Sequence, residues 1–254
     1  MRLHINIDHV ATLRNARGTP YPDPIEAARV CLDAGAHGIT AHLREDRRHI
    51  NDHDVERLRA TLRSTFNLEC AATDEMIKIA VATRPDVVTL VPERREERTT
   101  EGGLDVTGNY ERLEKHVAAL QAADIKVSLF IAPDLAQVDA SRKLGVEQIE
   151  LHTGEYAHAF GYGRPSSSDL TLPVPDAALQ EYQRLAAAAK HAHAIGLEVA
   201  AGHGLTTRNV SALVRIGEIV ELNIGHAVIA DSVFMSLSGA VKAMLAATTK
   251  GRSA

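Results

Sequence analysis

Short apolar runs alternate with stretches of helical periodicity from one end of the chain to the other. Residues 3–8, 38–42, 67–69, 87–90, 126–131, 148–152, 198–201 and 219–223 read as eight strands. Between them, residues 23–34, 74–83, 110–123, 135–144, 176–195, 206–216 and 226–245 carry apolar side chains at three- and four-residue spacing, which predicts helices. Pro22 and Pro24 open the first of these, and Gly35, Gly145, Gly196 and Gly217 follow the ends of four. Proline at a helix start and glycine past its end are the expected punctuation. The last helix allows a break near Asp231, residues 155–175 read as a long polar loop, and the tail 248–254 is expected to fray.

Strands alternating with helices at this spacing imply parallel strand–helix–strand units. Eight such units in ~250 residues fit a (β/α)8 barrel. The expectation is therefore one domain over 1–254, a TIM barrel with extra helices. A doubly wound sheet is the runner-up. It lacks support because Asp8-His9-Val10-Ala11-Thr12, not a glycine-rich turn, follows the first strand.

The polar positions inside the strands are the unusual feature. Leu3, Ile5 and Ile7 share one face of the first strand, and His4, Asn6 and Asp8 share the other. Ile149 and Leu151 alternate with Glu150 and His152, and Leu222 and Ile224 with Glu221 and Asn223. Helices cover the outside of such a barrel, so the apolar faces point outward and the polar faces inward. Burying unpaired carboxylates costs several kcal/mol each, so packing alone does not explain this interior.

Asp8-His9, His42, Glu69, Glu150, His152, His203 and His226 fall at or beyond strand C-termini, the end that carries active sites in this fold. The alternative for Glu69 and Glu150 is a buried ion pair with Arg44 or a histidine. His4 reads as structural, and His37, His53, His116, His158, His191 and His193 as solvated surface. Ala201-Gly202-His203-Gly204, opening a helix with Thr206, and Asn223-Ile224-Gly225-His226 end the last two strands, where barrels often bind phosphate. The run His42–His49 holds three arginines and two histidines, and Arg14 and Arg17 add to it, suggesting a second anion pocket. The alternative there is a solvated charged loop. None of the seven lysines sits at a strand C-terminus, which counts against a lysine Schiff-base aldolase.

Composition narrows the partners. With 28 basic and 33 acidic residues the net charge is -5, which gives no reason to expect nucleic acid. Two cysteines, Cys31 and Cys70, suit a reducing cytoplasm. No signal-peptide core opens the chain and no apolar run approaches ~18 residues, so no membrane contact is expected.

These residues resemble one family. Asn6-Ile7-Asp8-His9, Thr12-Leu13-Arg14-Asn15-Ala16-Arg17-Gly18, the run from His42 to Ile50, Leu90-Val91-Pro92-Glu93, Thr99-Thr100-Glu101-Gly102-Gly103-Leu104-Asp105, Glu150-Leu151-His152-Thr153-Gly154, Ala201-Gly202-His203-Gly204-Leu205 and Glu221-Leu222-Asn223-Ile224-Gly225-His226 are similar, in order, to pyridoxine 5′-phosphate synthases. The resemblance implies an octameric (β/α)8 barrel without metal or organic cofactor. It would join 3-amino-2-oxopropyl phosphate to 1-deoxy-D-xylulose 5-phosphate, giving pyridoxine 5′-phosphate, phosphate and water in the last step of de novo vitamin B6 synthesis. It implies His42 and Glu69 as proton acceptors, His203 as proton donor and Glu150 as the group that stabilises transition-state charge. Asn6, Arg17, Gly204, Gly225 and His226 would hold the aminoketone phosphate. Asp8, His9, Arg44, His49 and Thr99 would hold the deoxyxylulose phosphate. The polar segment 93–105 is an expected lid, and the loop after Tyr156 departs from the family pattern.

Two other classes compete. A metal-dependent barrel lyase or hydrolase could use Asp8, His9, His42, His152, His203 and Glu150 as a Zn2+ site, although no short HxH or HExxH pair supports it. A non-enzymatic phosphosugar-binding protein would have no use for inward acids such as Glu69 and Glu150.

Overall fold

The eight predicted strands close into one barrel. The structure, a computed structural model, describes residues 1–93, 102–163 and 172–253. Its strands are β1 (Arg2–Asn6), β2 (Gly38–His42), β3 (Thr65–Ala71), β4 (Val87–Val91), β5 (Lys126–Ile131), β6 (Gln148–His152), β7 (Glu198–Gly202) and β8 (Ile219–Ile224). Each pairs in parallel with the next, and β8 returns to β1 in the register Leu3↔Leu222. The helices are α1 (Asp8–Arg17), α2 (Pro24–Asp33), α3 (Asp52–Thr61), α4 (Asp74–Thr83), α5 (Tyr110–Ala122), α6 (Leu135–Lys143), α7 (Gly154–Phe160), α8 (Asp176–Ala194), α9 (Val210–Leu213), α10 (His226–Met235) and α11 (Leu237–Ser253). Paired helices after β1, β6 and β8 are the extra ones. Among the described residues no helix is long and apolar enough to cross a membrane.

The strand alternation does what the pattern predicted. Leu3, Ile5, Ile39, Phe66, Leu68, Val88, Leu129, Ile149 and Leu222 are buried in the apolar cluster between barrel and helices. The polar faces meet inside. At the N-terminal end Arg2 donates to Glu221 (2.9 Å) and pairs with Glu198, across β8; Lys126 reaches Glu198 at 2.7 Å, across β6. Bonds that skip a strand run through the interior. One layer higher, Thr40 donates to Asn223 (2.8 Å), Thr89 to Asn67 (2.9 Å) and Asn223 to Glu150 (2.7 Å). A barrel normally filled with branched aliphatics is here a ladder of hydrogen bonds, and the mouth inherits its orientation from that ladder.

Several local expectations are corrected. The helix expected over 206–216 is only α9; the Asn209 side chain accepts the Thr206 N–H (2.8 Å) and the Thr206 hydroxyl accepts the Arg208 N–H (3.2 Å), holding a turn instead. The last helix breaks at Ser236 (φ 68°), not near Asp231. The tail does not fray at Thr248: α11 runs to Ser253, and Arg252 donates to the carbonyls of Val214, Ile216, Gly217 and Ile219. The loop expected over 155–175 begins as α7, and residues 164–171 lie outside the described residues.

Candidate active site

The first two strands deliver their polar ends to each other. Asp8, in the first turn of α1, accepts the His42 backbone N–H through Oδ1 (2.8 Å) and the Asn6 amide through Oδ2 (2.9 Å). The Asn6 Oδ1 in turn accepts the Asp8 N–H (2.9 Å), and its Nδ2 also reaches Glu69 Oε2 at 3.4 Å. His42 and Glu69 are register partners on β2 and β3, with Nδ1 and Oε2 3.9 Å apart. On its other side the His42 Nε2 lies 2.8 Å from Glu93 Oε1. Asn6, Asp8, His42, Glu69 and Glu93 thus form one connected arc at the C-terminal end of the barrel.

A second group faces it from β6 and β7. The rings of His152 and His203 lie 4.9 Å apart, and Phe130 stands edge-on to His152. His203 takes a positive φ of 80°, a costly conformation for a side-chain-bearing residue. Thr153 donates its hydroxyl to the carbonyls of Gly202 and His203, which helps hold that turn. Glu150 sits below them in the middle layer, deeper than its expected place at the mouth. A Cβ at Gly202 would come within 2.2 Å of Glu150 Oε1, so this glycine makes room for the carboxylate.

The environments push the acids and bases apart. Burial, reinforced by the negative charges of Glu150 and Asp8, raises Glu69 well above the usual carboxylate range. Burial and the charge of Glu221 push Glu150 up to about 8, against the Asn223 hydrogen bond. Burial also opposes ionisation of Glu93, but His42, the Glu45 N–H and Arg44 outweigh it and hold Glu93 low. Burial, then the neighbouring His203, lowers His152 to about 4. Burial likewise lowers His49 and His9.

The anion-binding expectations divide. Arg14 is spent on buried Asp54, bidentate at 2.6 and 2.8 Å. Arg47 pairs with Asp52 and Glu75, and Arg48 with Asp46. Neutralised in this way, they do not form the cationic pocket the run of arginines suggested. Arg44, the most buried of these arginines, lies beside Asp46 (3.7 Å). His49 accepts the Ile50 N–H at Nδ1 (3.0 Å), which leaves a protonated Nε2 as donor, and its ring lies 5.8 Å from that of His42. His9 and His226 stand edge to face at 5.0 Å. Gly225 opens α10 as expected and packs so closely on Asn6 that a Cβ would lie 3.0 Å from its side chain. Gly204 has φ 79° and abuts Ala157. The other glycine segment does not open a helix at Thr206. Arg17 is exposed in the last turn of α1, and Thr99 lies outside the described residues, as does 94–101 of the expected lid.

The family profile described as "Pyridoxal phosphate biosynthesis protein PdxJ" matches residues 3–250. The chain belongs to the PdxJ family. This PdxJ-family chain is 51% identical over 254 residues to the pyridoxine 5′-phosphate synthase of Xanthobacter autotrophicus, covering 100% of itself and 95% of that protein. It is 52% identical over 242 residues to that of Photobacterium profundum, covering 95% and 94%. Solved structures share the fold alone. Phosphoribosyl anthranilate isomerase from Thermus thermophilus superposes with a TM-score of 0.59 at 15% identity, covering 98% of each chain. KGPDC from Streptococcus mutans gives 0.62 at 12%, covering 98% of this chain and 97% of its own.

In this PdxJ member the ion-pair alternative for the two inward acids divides: among the described contacts Glu69 faces His42 at 3.9 Å, the histidine partner that alternative named, and also meets Asn6, whereas Glu150 meets Asn223. Of the six ligands weighed for a metal site, Asp8 and His42 belong, with His49, to the one set of three found among the described residues within 4.8 Å of one another. The sequence placed Glu93 only in the expected lid, and Asn223 only on an inward strand face and in a glycine segment; it paired neither with His42 or Glu150. An acid two residues past a barrel strand was the available signal for the first, and strand alternation for the second. His116, expected on the surface, is buried against Asp74 (3.0 Å).

Proposed function

We propose that this chain is a pyridoxine 5′-phosphate synthase, joining 3-amino-2-oxopropyl phosphate to 1-deoxy-D-xylulose 5-phosphate by proton transfer and releasing phosphate and water. The observation that carries this is the spread of proton affinities along one barrel interior, from the middle layer to the mouth: Glu150 near 8 below, and Glu93 held low, Glu69 raised and His152 near 4 above it. Amine addition to a ketone, elimination of phosphate, ring closure and loss of water each need a proton placed or removed, and acids and bases with separated pKa values supply that.

Burial and its acidic neighbours raise the proton affinity of Glu69, which suits it to accept a proton. A substrate ammonium beside it favours the carboxylate, whose own proton leaves to solvent; the carboxylate then takes the ammonium proton, which frees the amine lone pair for attack. His42 Nδ1 is the second acceptor, suited to removing a carbon-bound proton as phosphate leaves. His203 donates to departing oxygen. Neutral Glu150 donates a hydrogen bond where negative charge develops, as a protonated carboxyl in an apolar site can. Asn6, Arg17, Gly204, Gly225 and His226 hold the aminoketone phosphate. Arg44, His9, His49 and Thr99 hold the other substrate, with Asp8 accepting one of its hydroxyls. The setting is the cytoplasm, with neither nucleic acid nor membrane as partner.

The Asp8, His42 and His49 set favours a second reading, in which a divalent cation does the work. Protein treated with EDTA and supplied with both substrates is expected to form pyridoxine 5′-phosphate and phosphate at the untreated rate. Activity lost with EDTA and restored by Zn2+ would support the metal reading, and no product from either preparation would end the synthase assignment.

A homo-octamer is part of the same reading. Leu13, Val233 and Phe234, exposed by 55%, 74% and 75%, lie on α1 and α10, whose inner sides pack together through Val10 and Ile229. A second copy covering these side chains would remove that apolar surface from water. Light scattering is expected to give an octamer, and Phe234→Glu a smaller species. A wild-type monomer at micromolar concentration would refute it.

A further inference from the structure

Glu93 has no part in the roles assigned so far. Its side chain is 5% exposed and spans two neighbours: Oε1 lies 2.8 Å from His42 Nε2, and Oε2 accepts the Glu45 N–H at 3.1 Å. It stands two residues beyond β4, so it meets His42 from the far side of Glu69. An ionised carboxylate only accepts hydrogen bonds, so the ring nitrogen facing it must carry a proton. A neutral imidazole has one proton, and Nδ1 is then the lone pair. That atom faces Glu69 at 3.9 Å, too far for a hydrogen bond and open to a substrate proton between them. When Nδ1 takes that proton, the imidazolium lies against a negative charge. The main-chain donor from Glu45 keeps the carboxylate from turning with the ring.

We propose that Glu93 is a positioning residue for the synthase reaction, fixing the His42 imidazole with Nε2 protonated and Nδ1 as the basic atom presented to the substrate. The inference deepens the proton-transfer reading above and rests on it for its kinetic consequence. It does not rest on it for its geometric one. A purely structural tie between β4 and the segment after β2 would need the Glu45 contact alone and would be indifferent to tautomer.

Glu93→Gln separates the two, because an amide can accept from one tautomer of His42 or donate to the other. Turnover is expected to fall about 10²-fold with KM nearly unchanged, the usual scale for a misplaced general base. The acid limb of the pH–rate profile should move to lower pH, since an imidazolium that loses its anionic neighbour gives up its proton more readily. Nitrogen-15 NMR of the ring, with the signal assigned by its loss in His42→Gln, should show one tautomer in the wild type and a mixture in Glu93→Gln. Glu93→Asp, with a shorter reach, should keep the single tautomer and recover part of the rate. A wild-type ring protonated on Nδ1, or a Glu93→Gln protein with unchanged tautomer and pH profile, overturns the proposal. Should Glu93→Gln fail to fold, the wild-type tautomer and Glu93→Asp decide it. Wild-type protein that makes no product ends the synthase assignment, while its tautomer still tests Glu93.

Discussion

Glu69→Gln lowers turnover by roughly 10²–10⁴-fold, the range that loss of a general acid–base residue produces, and leaves the fold intact. Burial and its acidic neighbours raise Glu69 well above the usual carboxylate range, so the folded barrel favours its neutral form. Glutamine copies that neutral form in shape and can still accept the Asn6 amide, which lies 3.4 Å away. What it cannot do is take a proton from a bound ammonium or pass one on. Stability is therefore expected to stay level at neutral pH while single-turnover rates collapse, with substrate binding little changed. If Glu69 were half of a structural ion pair, the same variant would strand a buried charge and lose several kcal/mol. Melting curves and single-turnover kinetics on one sample distinguish these outcomes, and a stable variant with near-normal turnover would remove Glu69 from the mechanism.

The barrel was legible because its signal is local. Alternation in Gln148–His152 and in Lys126–Ile131 marks a strand, its outward face and its inward face without reference to any other residue. Helices whose stability comes from elsewhere were missed. α3, DHDVERLRAT, is nearly all polar; it is held by the Asn51–Asp54 capping box and by Arg14, forty residues away in α1. α1 buries only Val10 and Ala11 among its apolar residues, too few to show a period. α7 is seven residues long and has no side-chain cap.

The site shows the same division. Strand alternation put His42, Glu69 and His203 towards the C-terminal ends of β2, β3 and β7, and the structure has them there. Pairings were invisible, because the sequence does not say which acid meets which base. The arginines after β2 looked available until Asp52, Glu75 and Asp46 were found against them. Glu93 opens the segment 93–105, which reads as a lid and not as a partner of His42. Only the closure of β4 beside β2 and β3 brings it to His42. Glu150 was identified by type, yet its depth and its partner come from β8, 73 residues on.

That depth has a consequence for stability. Glu150→Gln is expected to make the protein more stable than the wild type at high pH and no more stable at low pH. The folded-state value, about 8, lies above the 4.5 of an unperturbed glutamate. The folded protein therefore holds this proton over a pH range in which the unfolded chain has released it. Stability from this group is fully present below about 4.5, declines as pH rises, and is lost once pH passes about 8. At 1.36 kcal/mol per unit of difference, the wild type forfeits on the order of 5 kcal/mol between those limits. Glutamine does not ionise, fills the space beside Gly202, and keeps an acceptor for Asn223. Comparing denaturant midpoints of the two proteins from pH 5 to pH 9 cancels the titrating groups that Glu150 does not influence, and the same comparison in a Glu69→Gln background removes the group it does. The curves should converge near pH 5 and separate steadily above it. Parallel curves would mean that Glu150 is ionised in the folded barrel, and its role as a neutral hydrogen-bond donor would fall with them.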